Sequence, residues 1–198
     1  MLRVIIAAIV GGIIYFAWGF VFWPLGVSNA FDGLHPVPNE AVTVAGLDAQ
    51  LDTTGMYYFP EMPTDPADEA AMTAYSERHE AGPIGMVMFR QEGTAPMAPV
   101  IFVQGIAIDI IVAFLVSMIA FAVSRNGGGM RCKAVAVCAF AIGAALASHG
   151  MMWNWFYMPT NYTLMMMTDV AAGWVIAGLV IALIVRAPKC GRAEPAAA

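Results

Sequence analysis

Few side chains in this sequence could do chemistry, and the most informative of them interrupt apolar runs. Asp109, His149 and Asp169 each fall inside a long stretch of hydrophobic residues. A carboxylate and an imidazole in such surroundings could relay a proton, hold an ion or line a ligand pocket. Gln104 and Asn154 lie close enough along the chain to join them, which gives a candidate polar cluster of Asp109, His149, Asp169, Gln104 and Asn154. The plainer use is a hydrogen-bonded pair that fixes helix register, because one pair without a continuous polar path across a membrane conducts nothing. No catalytic signature, cofactor fingerprint or metal-ligand array accompanies these residues. No catalytic, cofactor-binding or metal-binding residue is therefore assigned, and no cofactor is implied.

Weaker signals have ordinary explanations. His35 and His79 lack the carboxylate or cysteine companions of a zinc site. Glu61, Asp65, Asp68 and Glu69 lack the glycine and spacing of an EF-hand. A haem with two histidine ligands would need a second intramembrane histidine beside His149, and the chain has none. The methionines at 151, 152, 158 and 165 to 167 suit irregular packing more than copper binding. Trp153, Trp155, Phe156 and Tyr157 form an interfacial aromatic cluster of the kind that marks where headgroups meet hydrocarbon, a lipid or quinone pocket being the sharper alternative. Cys132, Cys138 and Cys190 contain no CxxC pair and read as inert thiols.

The elements that must position these groups are four apolar stretches, near residues 4–23, 99–123, 134–155 and 167–185. About 20 apolar residues in a helix span the hydrocarbon, and each stretch is of that order. A content of 60% hydrophobic and 12% charged residues places the chain in the same class. Backbone polar groups in lipid must be satisfied within their own segment, so the runs should be helices. The expected fold is an all-α bundle of four transmembrane helices with a small α/β extracytoplasmic insertion between the first two. At 1.5 Å per residue, Asp109 then lies roughly 16 Å and His149 roughly 12 Å below one end of the bundle, with Asp169 near that level if the fourth helix begins at Thr163.

Charge sets the expected orientation. Seven of the nine basic residues, Arg3, Arg125, Arg131, Lys133, Arg186, Lys189 and Arg192, fall on one side, which the positive-inside rule makes the cytoplasm. Residues 28–97 hold eleven of the fourteen acidic residues against Arg78 and Arg90. A net charge of about −9 there argues against nucleic acid as a partner. A cleaved signal peptide is the alternative for residues 1–27, but the aromatic end of the run at Trp18, Phe20, Phe22 and Trp23 favours a retained anchor.

Residues 28–97 should fold as an α-β-α-β unit. Asn39 caps a helix over 40–51 whose exit Gly55 marks, a strand follows at 56–59, Asp65 and Pro66 start a second helix that Gly82 stops, and 84–90 forms a second strand antiparallel to the first. About 70 residues bury only a modest core, so the unit should lean on the bundle or on a partner. Residues 98–186 carry the remaining three spans, and 187–198 should be a disordered cytoplasmic tail.

Several segments together carry a likeness: Pro38-Asn39-Glu40, Gly55 to Pro60 (Gly-Met-Tyr-Tyr-Phe-Pro), Gly82-Pro-Ile-Gly85, Pro96-Met-Ala-Pro99, Trp153-Asn-Trp and Pro159-Thr-Asn-Tyr-Thr163. In these the chain resembles a family of uncharacterised small bacterial inner-membrane proteins. The resemblance implies four transmembrane helices and a periplasmic loop domain and brings no activity. Small-xxx-small spacings such as Ala7 with Gly11, Ala139 with Gly143 and Gly173 with Ala177 favour close helix contacts, including those with other membrane subunits or a second copy. The expected role is an accessory or scaffold subunit of a larger membrane complex, surrounded by membrane lipids. Its rivals are a proton-relay or transporter component built on Asp109 and His149 and a membrane enzyme acting on a lipid or quinone.

Overall fold

The computed structural model describes residues 1–186; the tail expected over 187–198, with Lys189, Cys190 and Arg192, lies outside them. In chain order the elements are α1 (Leu2–Phe22), a 3-10 turn (Val27–Phe31), α2 (Glu40–Asp48), β1 (Gly55–Phe59), α3 (Glu69–Ala81), β2 (Gly85–Phe89), α4 (Pro99–Arg125), α5 (Met130–Ala145), a π-helical turn (Leu146–Gly150), α6 (Met151–Phe156) and α7 (Thr160–Ile184). α5, the π turn and α6 run as one apolar helix, Met130–Phe156. With α1, α4 and α7 it makes four helices long and apolar enough to cross a membrane, and the protein is accordingly a multi-pass membrane protein.

Helices consecutive in the chain run antiparallel, as do α1 and α7, while α4 and α7 touch and run parallel. Gly12 of α1 lies against Ile110 of α4 while Phe16 and Phe20, farther along α1, meet Phe102, nearer the start of α4. Gly11 lies against Ile181, and Tyr15 stacks on Trp174 of α7 at 4.2 Å between ring centres. α5 packs on α7 through Val137 against Gly178 and Phe140 edge-on to Trp174. The buried core is mostly small: Ala7, Ala113, Ala120, Ala141 and Ala177 have no exposed surface. In lipid, apolar side chains gain nothing by leaving the solvent, so close backbone approach through such residues holds the helices together.

Lys133 gives the basic end of the bundle a fixed joint. It is buried, and its ammonium donates to the carbonyls of Ala182 and Val185, the latter at 2.8 Å. The last carbonyls of a helix have no partner within it, and a cation there satisfies them and opposes the helix dipole.

The segment between α1 and α4 is built differently. Asn39 caps α2 by accepting from the Val42 amide at 3.2 Å, and β1 pairs antiparallel with β2 from Gly55↔Phe89 to Phe59↔Gly85. The Phe59 ring lies over Gly85, so an aromatic face covers a residue with no side chain of its own. Yet not one residue from 29 to 98 is buried. A two-stranded sheet is marginal in water by itself, and here no core backs it.

Four local expectations change. The cap of α3 is Asp68, which accepts from the Ala71 amide at 3.0 Å, and Asp65 instead accepts from Ala67 at 2.9 Å in a turn ahead of the helix. The two aspartates offer the same chemistry, and Pro66, placed between them, belongs to that turn. α2 stops at Asp48 and not at residue 51, because the Gln50 and Leu51 amides both turn back to the Leu47 carbonyl. Gly55 opens β1 and pairs with Phe89, so it marks no helix exit. α7 begins at Thr160, directly after Pro159, seven residues ahead of the apolar run at 167. A helix does not have to end where its apolar surface does.

Candidate functional site

Asp109 and Asp169 line one cavity in the half of the bundle nearer the 23–98 segment. Asp109 is ten residues into α4 and Asp169 nine residues into α7, both helices starting at that end, so each lies about 14–15 Å along its axis. α1, α4 and α7 border there an open cavity of about 300 Å³ with both carboxylates in its wall, together with Tyr15, Phe16, Phe20, Trp23 and Phe102.

The two carboxylates are held unequally. The Trp18 indole donates to Asp169 Oδ1 at 2.9 Å and to the Asp169 backbone carbonyl at 3.1 Å, and the Trp23 indole donates to Oδ2 at 3.0 Å. Both oxygens of Asp169 are thus occupied by donors, Trp18 in α1 and Trp23 directly after it, which also pins the end of α1 to α7. Asp109 accepts no hydrogen bond among the described residues and is half-buried. The charged group that acts on it is Asp169. No lysine or arginine lines the cavity.

His149 comes from an element that packs against α7. It sits in the π turn, where the Met151 amide bonds back five residues to the Leu146 carbonyl. Such turns widen a helix locally and recur at functional positions. His149 is half-buried and within electrostatic reach of Asp169, but it makes no hydrogen bond to Asp169 or Asp109. Gln104 and Asn154 are exposed and lie outside the cavity wall. Of the five expected members of the polar cluster, therefore, the fold brings Asp109 and Asp169 to one cavity, sets His149 within electrostatic reach of Asp169 alone and leaves Gln104 and Asn154 apart.

The aromatic cluster divides as well. The Trp153 indole donates to Thr160 Oγ1 at 3.2 Å across the α6–α7 turn. Trp155, Phe156 and Tyr157 instead form one wall of a cleft of about 250 Å³, whose other wall is β1, β2 and α3 with Tyr58, Tyr75 and His79. His79 meets the Tyr157 ring edge-on at 5.2 Å. Tyr157 has φ 54°, and among the described residues the other non-glycine positions with positive φ are Asp32 and Met97. This backbone region costs ordinary residues of order 1–3 kcal/mol. All three stand where the chain passes between the bundle and the 23–98 segment or turns beneath it.

The remaining candidates stay apart. His35 faces Asp32 at 3.7 Å on the exposed surface. Among the described residues no three His, Cys, Asp or Glu side chains gather as a metal site, and Cys132 and Cys138 are free.

Sequence reasoning missed the roles of Trp18, Trp23 and Lys133. Trp18 and Trp23 had the composition of an interfacial belt, and Lys133 that of a positive-inside charge. Their partners lie 146 to 151 residues away for the tryptophans and 49 to 52 for the lysine. The only available signal was that Asp169, inside an apolar helix, needed donors from somewhere. No protein-family model, curated protein or solved structure matches the chain.

Proposed function

We propose that this protein is an accessory or scaffold subunit of a larger membrane protein complex in a bacterial inner membrane, and that residues 28–97 are the periplasmic part a partner covers. One observation carries the reading: residues 29–98 form two helices and a hairpin without burying a single residue. Val42, Met88 and Tyr58 are 67, 81 and 58% exposed on these elements. A segment with that little internal packing is stabilised most simply by a surface brought by another chain.

The orientation is supported by the charge distribution along the alternating helices. Arg3, Arg125, Arg131, Lys133 and Arg186 lie at one end of the bundle, and the acid-rich segment lies at the other. Both termini are then cytoplasmic. The resemblance to small bacterial inner-membrane proteins points the same way.

Site-specific photocrosslinking in native membranes tests the role. Probes at Val42, Tyr58 and Met88 should give a discrete adduct with one recurring larger membrane polypeptide. Probes at lipid-facing Ile111 and Leu183 should give mainly lipid adducts. If the three outer positions yield only water-quenched probe, the scaffold reading fails. Cysteine labelling from the two sides of the membrane tests the orientation independently.

A further inference from the structure

We propose that the cavity between α1, α4 and α7 binds an organic ammonium ion, with Asp109 as its counter-ion and the rings of Tyr15, Phe16, Phe20 and Phe102 as its cage. Two carboxylates alone would not define a site. Here they share a cavity with rings that pack into a continuous wall: Phe16 meets Phe20 at 5.4 Å and Phe102 at 6.4 Å, both edge-on, and Phe20 stacks on Phe102 at 6.0 Å. Ring faces attract cations through their quadrupole, most strongly where water is displaced.

The lining discriminates between ligand classes. An anion would meet two carboxylates and no basic side chain. Hard metal ions such as Ca²⁺ take six to eight oxygen ligands; this cavity offers two carboxylates, of which Asp169 already has both oxygens engaged by Trp18 and Trp23. A neutral apolar molecule would gain from the rings and nothing from the charge. An alkyl- or benzyl-substituted ammonium uses both: its charge faces the uncommitted Asp109 carboxylate and its substituents fill the aromatic wall. About 300 Å³ suits a compact amine, at the small end of the range for ligand sites. Pro24 and Met97, the latter at φ 57°, line the cavity at the bundle end next to the 23–98 segment, so a ligand would enter from that side.

The test uses the full-length chain in nonionic detergent with benzyltrimethylammonium chloride as the probe, followed by tryptophan fluorescence at constant ionic strength. Saturable one-site binding is expected, weakened at least tenfold in Asp109→Asn and about threefold in Phe102→Leu. Asp109 supports no other side chain, so Asp109→Asn should leave the fold intact. A second measurement does not depend on any variant: a hydrophobic carbodiimide should modify Asp109, and benzyltrimethylammonium should slow that modification at least tenfold, read by mass spectrometry. Non-saturable binding, unchanged affinity in a folded Asp109→Asn, or carbodiimide labelling indifferent to the probe would each overturn the proposal. So would equal protection by sodium chloride, which would make this a site for inorganic cations.

Discussion

Gly12 and Gly46 both sit inside helices, but a side chain would meet opposite surroundings at the two positions. A Cβ on Gly12 would come within 2.6–2.8 Å of Ile110, including its backbone nitrogen and Cα, whereas one on Gly46 would find nothing within 4 Å. The contrast separates the two regions of the molecule. In the bundle, packing between helices decides stability, and Gly11, Gly12, Gly173 and Gly178 each stand where another helix closes in, whereas Gly143, expected with Ala139 to make such a contact, meets nothing within 4 Å. In the outer segment, caps and cross-strand hydrogen bonds hold individual elements together, and almost nothing holds one element against another. Regions assembled from local interactions alone are the ones that open first and the ones a partner can complete.

The sharpest way to test that contrast is to place the same methyl group in both regions. Gly12→Ala should destabilise the bundle by on the order of 3 kcal/mol, because the Ile110 backbone cannot move aside without separating α1 from α4. Gly46→Ala should stabilise α2 by up to about 1 kcal/mol, through reduced freedom of the unfolded chain. Denaturant titration of the detergent-solubilised protein reads the first change and amide exchange in α2 the second; equal effects would erase the distinction. Lys133→Met should follow at about 2 kcal/mol, the cost of leaving the Ala182 and Val185 carbonyls without their charged donor. The same titration checks it, with the loss localised by faster exchange in the last turn of α7.

Smaller effects are expected in the outer segment. Asn39→Ala should cost α2 about 1 kcal/mol by removing its cap, with no change in the denaturation of the bundle. A coupled loss in both regions would mean that they fold as one unit. The smallest effect concerns Glu92. The Thr54 hydroxyl donates to its carboxylate at 2.8 Å, and this bond, foremost among the local contributions, holds its pKa below the ordinary 4.5. A carboxyl group with a depressed folded-state pKa contributes to stability above its unfolded value and loses that contribution as pH falls through the folded one. The link between Thr54 and Glu92 should therefore persist at neutral pH and disappear in acid, below the usual carboxylate range. A carboxyl-carbon NMR titration follows it, and Glu92→Gln should abolish the transition.

Much of the fold was legible in the sequence, for reasons that differ between regions. Four apolar runs specify four helices because lipid offers the backbone no other partner. Asn39 marks the start of α2 and Gly82 the end of α3, because a capping side chain and a left-handed glycine act within a few residues of themselves. Where two residues offered the same local chemistry, as Asp65 and Asp68 did, the sequence could not choose between them.

The site was legible only by type. Asp109 and Asp169 stand out in sequence as charges in apolar helices, and depth counting puts them at one level. Which groups answer them depends on how helices far apart in the chain rotate and meet. Contact between α1 and α7 turned Trp18 and Trp23 from interfacial aromatics into the two donors that hold Asp169. The rotation of α4 left Asp109 without any donor and faced it toward a wall of rings. Element type follows from solvent and local chemistry, which a linear sequence states directly; the pairing of distant side chains follows from packing, which only the assembled helices decide.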